Sequence, residues 1–165
     1  MAYPLIVLEM IPYFTERQLL IWRLRSTGVS KAEIGRRLGI TRQSVYDAEK
    51  VVLGKVDEAL RKFADSSRVD VEYLDVTRGV LLGTQAAAKQ KVIITLSSKN
   101  GVQTWHYQQP ECGACQYSQR CRRLLLDEAE ERGIEISAED KKLPPSKLAH
   151  TIFSSMIPEL TNYAA

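Results

Sequence analysis

Two glycines four residues apart, Gly35 and Gly39, constrain this chain more than any other feature. They sit within Ser30–Glu49, a stretch whose apolar residues are Ile34, Leu38, Ile40, Val45 and Ala48. Two helices crossing steeply through a three-residue turn need a small residue where their backbones meet, and Gly35 supplies it. The turn needs a positive φ, which Gly39 adopts without strain. The five apolar residues fall where such a pair must bury side chains. The spacing therefore predicts a helix-turn-helix, with Ser30 capping its first helix and Thr41 its second.

The flanking chain extends the pattern. Thr15 followed three residues later by Gln18 is a capping box, Leu19, Leu20, Trp22 and Leu24 supply apolar positions, and Gly28 ends that helix. The helix opened by Thr41 runs to about Phe63, and Gly54 costs it about 1 kcal/mol, which predicts a bend or a division there.

With the packed positions taken, Thr41, Arg42, Gln43, Ser44, Tyr46, Asp47 and Lys50 face outward. Arg42 can read guanine and Gln43 adenine through paired hydrogen bonds in a major groove. Thr41, Ser44 and Lys50 suit phosphates, and Arg36 and Arg37 on the first helix would cross the backbone; Tyr46 completes the surface. Charge agrees: Arg17 to Arg42 holds seven bases and one acid, whereas Asp127 to Lys142 holds seven acids and three bases. Such a split suits a polyanion at one end of the molecule.

From Thr15-Glu-Arg-Gln through Asp47-Ala-Glu-Lys50, the first 62 residues resemble the Tfx and LuxR class of DNA-binding domains, and in pattern region 4 of bacterial sigma factors. The likeness is greatest to archaeal Tfx-type regulators. It implies a transcription regulator bound to double-stranded DNA, with the transcription machinery as a further partner. Homodimerisation follows from the habit of the class.

Val69–Tyr107 changes to strand composition. Asn100-Gly101 predicts a two-residue type I′ turn that pairs Leu96 with Trp105, Ile94 with Tyr107, Thr95 with His106 and Ser97 with Thr104. That register gives the hairpin one apolar and one polar face. Val69–Val76 and Gly79–Thr84 form a second pair, with Gln85–Gln90 as linker or short helical turn. Beyond Pro110 come a helix from about Gln119 to Arg132, stopped by Gly133, and a last helix opened by Pro144-Pro145. Its Leu148, Ile152, Phe153, Met156 and Leu160 form a stripe suited to core packing or to a dimer seam. The fold class is α+β: a helical domain over 1–65, then a sheet-and-helix module over 66–165 acting as metal-binding sensor and dimerisation domain.

Three cysteines fall within ten residues, Cys112-Gly-Ala-Cys115-Gln-Tyr-Ser-Gln-Arg-Cys121. An odd, clustered set argues against a disulfide framework and for a reducing cytoplasm. Thiolates two residues apart can grip one centre from a tight turn, and the third arrives from the following helix. The spacing resembles the cluster loops of oxygen-sensing iron–sulfur regulators of the CRP family, of endonuclease III-type glycosylases and of iron–sulfur nucleases. It implies an iron–sulfur cluster of the [4Fe-4S] type, with structural zinc or metal-free thiols as the alternatives. Those families supply a fourth cysteine and this chain has none. The remaining place falls to His106, to an exchangeable site on iron, or to a partner. Arg120, Arg122 and Arg123 would offset thiolate charge and lower thiol pKa values.

The expectation is a regulator whose cluster senses oxygen, redox state or iron–sulfur supply; a regulator with structural zinc is the alternative, and an iron–sulfur nucleic-acid enzyme a third reading. No phosphate-cradling glycine loop, serine-hydrolase elbow or His-Glu-x-x-His motif is present, so an enzyme is not expected. No apolar run reaches the about 18 residues of a membrane span, and the Met1–Glu9 stretch lacks the basic leader of a signal peptide.

Overall fold

A computed structural model describes residues 13–107 and 111–162. The Met1–Glu9 stretch and Pro110 lie outside the described residues. The fold is α+β, with N-terminal helices, a four-stranded antiparallel sheet and C-terminal helices in chain order. Helices α1 (Glu16–Ser26), α2 (Lys31–Leu38) and α3 (Arg42–Ser66) come first. Strands β1 (Val69–Asp75), β2 (Val80–Gln85), β3 (Gln90–Ser97) and β4 (Gly101–His106) follow as a meander of order β1-β2-β3-β4. Helices α4 (Ser118–Glu131) and α5 (Pro145–Ser154) complete it, with short 3-10 turns at Asp140–Lys142 and Pro158–Asn162.

The local signals act as expected at the N-terminus. Thr15 and Gln18 form both arms of the capping box, and Ser30 and Thr41 each accept the backbone N–H three residues on. The helix through Gly54 is continuous from Arg42 to Ser66, so the chain does not divide there. Within α1, Leu20 is 42% exposed and Ile21 takes the core position instead. Trp22 is buried, and its indole N–H donates to the Val76 carbonyl at 3.2 Å.

The sheet is covered on both faces. Trp22 of α1 and Val52, Val56, Leu60 and Ala64 of α3 pack on one face against Leu81, Val92, Ile94 and Leu96. Leu125 and Ala129 of α4 and Leu148, Ile152 and Phe153 of α5 pack on the other, against Val80, Leu82 and Ile93. The stripe on the last helix is thus buried within its own chain and forms no dimer seam. The hydrophobic core also runs across the 65/66 division between the two expected domains.

The hairpin differs from the expected register. β3 and β4 pair Ser97 with Gly101, Leu96 with Val102, Thr95 with Gln103, Ile94 with Thr104, Ile93 with Trp105 and Val92 with His106. Gly101 keeps its positive φ of 64°, but Asn100 has none, so the connection is a three-residue loop rather than a type I′ turn. A glycine in this conformation after a three-residue loop is the alternative hairpin solution. Glu131 of α4 holds the loop from outside the hairpin, accepting the Ser98 amide at 2.6 Å and the Ser98 hydroxyl, and within the hairpin the Asn100 amide donates to Ser97 Oγ at 3.0 Å. Leu96 and Trp105, expected as cross-strand partners, stand on opposite faces. Alternation of apolar and polar faces was no guide, because Val92, Ile93 and Ile94 are buried in succession.

Candidate functional site

The elbow between α2 and α3 is a tight helix-turn-helix. A Cβ added to Gly35 would lie 2.8 Å from the Ile40 carbonyl oxygen, so only glycine fits without a backbone shift. Gly39 has φ 64° and its N–H donates to the Gly35 carbonyl. Ile21, Ile34 and Val45 are fully buried beneath the elbow, with Leu24, Val29, Leu38, Ile40 and Ala48 packed around them.

A buried carboxylate that the sequence reading missed ties the three helices together. Glu49 is 5% exposed on α3. It accepts from Arg25 Nε of α1 at 2.6 Å and pairs with Lys31 Nζ of α2 at 2.8 Å. Burial pushes this carboxyl up, but the bonds from Lys31 and Arg25 outweigh burial and hold it below the ordinary range. Arg25 also donates to the Val29 carbonyl at 2.7 Å. One signal was legible: Glu49 falls within the apolar stripe of Val45, Val52 and Val56.

The outward surface is the one expected, with its charge redistributed. Arg36, Arg37, Thr41, Arg42, Gln43, Ser44, Tyr46 and Lys50 are all exposed. Arg25 and Lys31 are committed to Glu49, and Arg36 and Arg37 both pair with Glu33. The hydrogen bond from Arg37 leads in holding the Glu33 carboxyl below its ordinary range. Arg42 and Lys50 on α3, and Arg17 and Arg23 on α1, have no acidic partner among the described residues. Thr41 Oγ1 caps the helix by accepting the Ser44 amide at 3.0 Å, and the Ser44 hydroxyl lies 2.8 Å from it, so the two hydroxyls are engaged locally. Gln43 donates to Asp47 at 3.0 Å, which orients its amide along the helix surface. Tyr46 is 48% exposed, with Lys31 Nζ 5.0 Å from its ring centroid.

The cysteine loop is a different case. The Cys115 amide donates to the Cys112 carbonyl at 3.4 Å, and Cys121 enters α4 with its amide on the Tyr117 carbonyl. Cys112 and Cys121 are half-buried, Cys115 is exposed, and all three are free. Among the described residues, no three Cys, His, Asp or Glu side chains come together as a metal ion requires. His106 pairs across the sheet with Val92 and lines the same cleft as Cys112 and Cys121, without converging with them on one point. As placed, Cys112, Cys115, Cys121 and His106 do not fit an iron–sulfur cluster or a zinc ion. The expected lowering of thiol pKa is also reversed at Cys121. Burial, then the charges of Cys115 and Cys112, push its thiol up against the pull of Arg120. Arg122 instead donates to the Lys141 carbonyl.

No helix among the described residues is long and apolar enough to cross a membrane. No family model, curated protein or solved structure matches the chain.

Proposed function

We propose that this protein binds duplex DNA through α2 and α3, and that it acts as a transcription regulator rather than as an enzyme. One observation carries the reading: the opening turns of α3 present Arg42, Gln43, Ser44, Tyr46 and Lys50 outward from a rigid helix-turn-helix. A recognition helix contacts bases from its N-terminal residues, and an α3 locked by Glu49 needs little reorganisation to do so. Arg42 supplies base contact and Lys50 phosphate contact, both without a neutralising carboxylate among the described residues. Gln43 exchanges its Asp47 bond for a base edge. Two copies would engage successive half-sites as a homodimer, through a surface other than the buried stripe of α5. Three free thiols suit the reducing cytoplasm. The iron–sulfur and zinc readings keep only the support of the cysteine spacing.

The test is fluorescence anisotropy of a labelled mixed-sequence duplex of about two helical turns. Affinity should fall steeply between about 50 and 200 mM salt, as counterion release requires. Arg42→Ala and Lys50→Ala should each reduce the slope of log affinity against log salt by about one. A duplex that does not bind, or that binds both variants with an unchanged slope, overturns the proposal.

A further inference from the structure

The sheet face away from α3 carries a cleft of about 940 Å³ between β4, the cysteine loop and the first turns of α5. Clefts that hold organic ligands span roughly 300–1,000 Å³, with apolar walls and a few placed polar groups. The wall here is aromatic: half-buried Trp105 and Tyr107 line it, with Trp105 backed by the buried Phe153 ring at 5.7 Å between centroids. At one edge the Tyr107 hydroxyl and His150 Nδ1 are 2.5 Å apart. That bond fixes the imidazole and leaves Nε2 with no partner among the described residues. Lys147 lies on the same edge and has no acidic partner among them either. Ser146 and Lys147 also open α5, a helix start without a side-chain cap, which adds positive character. Glu111 is the single carboxylate among the described lining residues, and it is exposed.

We infer that this cleft binds a small organic anion with an aromatic body, its ring on Trp105 and its carboxylate or sulfonate at Lys147 and His150. Aromatic walls alone would accept any apolar molecule. The imidazole and ammonium on one edge select a ligand charged at one end. The inference is independent of the DNA reading.

The full chain is titrated with 1-anilinonaphthalene-8-sulfonate, with uncharged N-phenyl-1-naphthylamine as the comparison. The sulfonate should saturate, with energy transfer from tryptophan, and bind about tenfold tighter than the neutral probe, the scale of one hydrogen bond to a charged group. Lys147→Ala, an exposed position, should remove that tenfold preference while leaving the unfolding midpoint unchanged. Alkylation supplies an internal control, because Cys112 and Cys121 line the cleft and Cys115 does not. Bound sulfonate should slow iodoacetamide at the first two and leave the rate at Cys115 unchanged. Absent saturation, equal affinity for the two probes, unchanged binding to the Lys147 variant, or equal protection of Cys115 each overturns the inference.

Discussion

Arg25 and Glu49 meet at 2.6 Å, the closest tie between the first helix and the helix proposed to read DNA. With Lys31 at 2.8 Å on the other carboxylate oxygen, the pair fixes the angle at which α3 leaves the elbow. Glu49→Gln should destabilise the protein by about 1–2 kcal/mol in urea unfolding at neutral pH, since both cations remain about a quarter exposed. Because the folded carboxyl lies below its ordinary range, its stabilisation is present above that range and is lost as pH falls through the lowered value. The gap between wild type and variant should therefore close in acid. A gap that is constant with pH would show that charge is not the cause.

Gly35→Ala tests the elbow itself. The new Cβ would lie 2.8 Å from the Ile40 carbonyl oxygen, a backbone atom that cannot swing away. The expected cost is about 1–3 kcal/mol, the range of overpacking, together with loss of duplex binding. Thermal unfolding and anisotropy read the two effects separately.

The buried pair at the end of α4 should respond unequally to its two deletions. Arg132 is 6% exposed and donates to the carbonyls of Arg78, Glu128 and Leu96, at 2.7, 3.0 and 3.2 Å. It also meets the Glu128 carboxylate at 2.7 Å. Arg132→Ala strips those carbonyls and isolates a buried acid, at about 3–5 kcal/mol. Glu128→Gln leaves the guanidinium its carbonyls and should cost less than half as much in denaturant titrations.

Glu128 also sets a pH dependence of opposite sign to that of Glu49. Burial pushes its carboxyl above the ordinary range against the pull of Arg132. The folded state thus holds its proton more tightly than the unfolded state, and this contribution is lost as pH rises through the raised value. Relative to Glu128→Gln, wild type should lose stability as pH is raised from the acid side. Melting temperatures of the two proteins across that range check it.

The cysteines should react in a fixed order. Exposed Cys115 should alkylate first, and Cys121, half-buried with its thiol pushed up, last. Peptide mass spectrometry after brief iodoacetamide treatment measures the order, and Cys121 reacting first would contradict the placement of the loop.

Legibility followed the range of the interaction. The caps at Thr15, Ser30 and Thr41 and the glycines at 35 and 39 act within one turn, and each could be read from neighbouring residues. The hairpin register could not. Its loop is held by Glu131, more than thirty residues away, and the sheet it belongs to is covered on both faces. Glu49 was missed because its partners lie on two other helices, although an acid inside an apolar stripe already demanded one. The cysteine spacing was plain, yet spacing along the chain does not decide where sulfurs point.

A sheet wedged between layers from opposite ends of the chain leaves no harmless place to cut it. Cleavage after Ser66 would expose Val52, Val56 and Leu60 to water on one fragment, and Leu81, Ile94 and Leu96 on the other. Neither fragment would be a self-sufficient unit, and both would be prone to clump. During synthesis the leading helices must likewise wait, with their inner stripe bare, until the strands emerge to cover it.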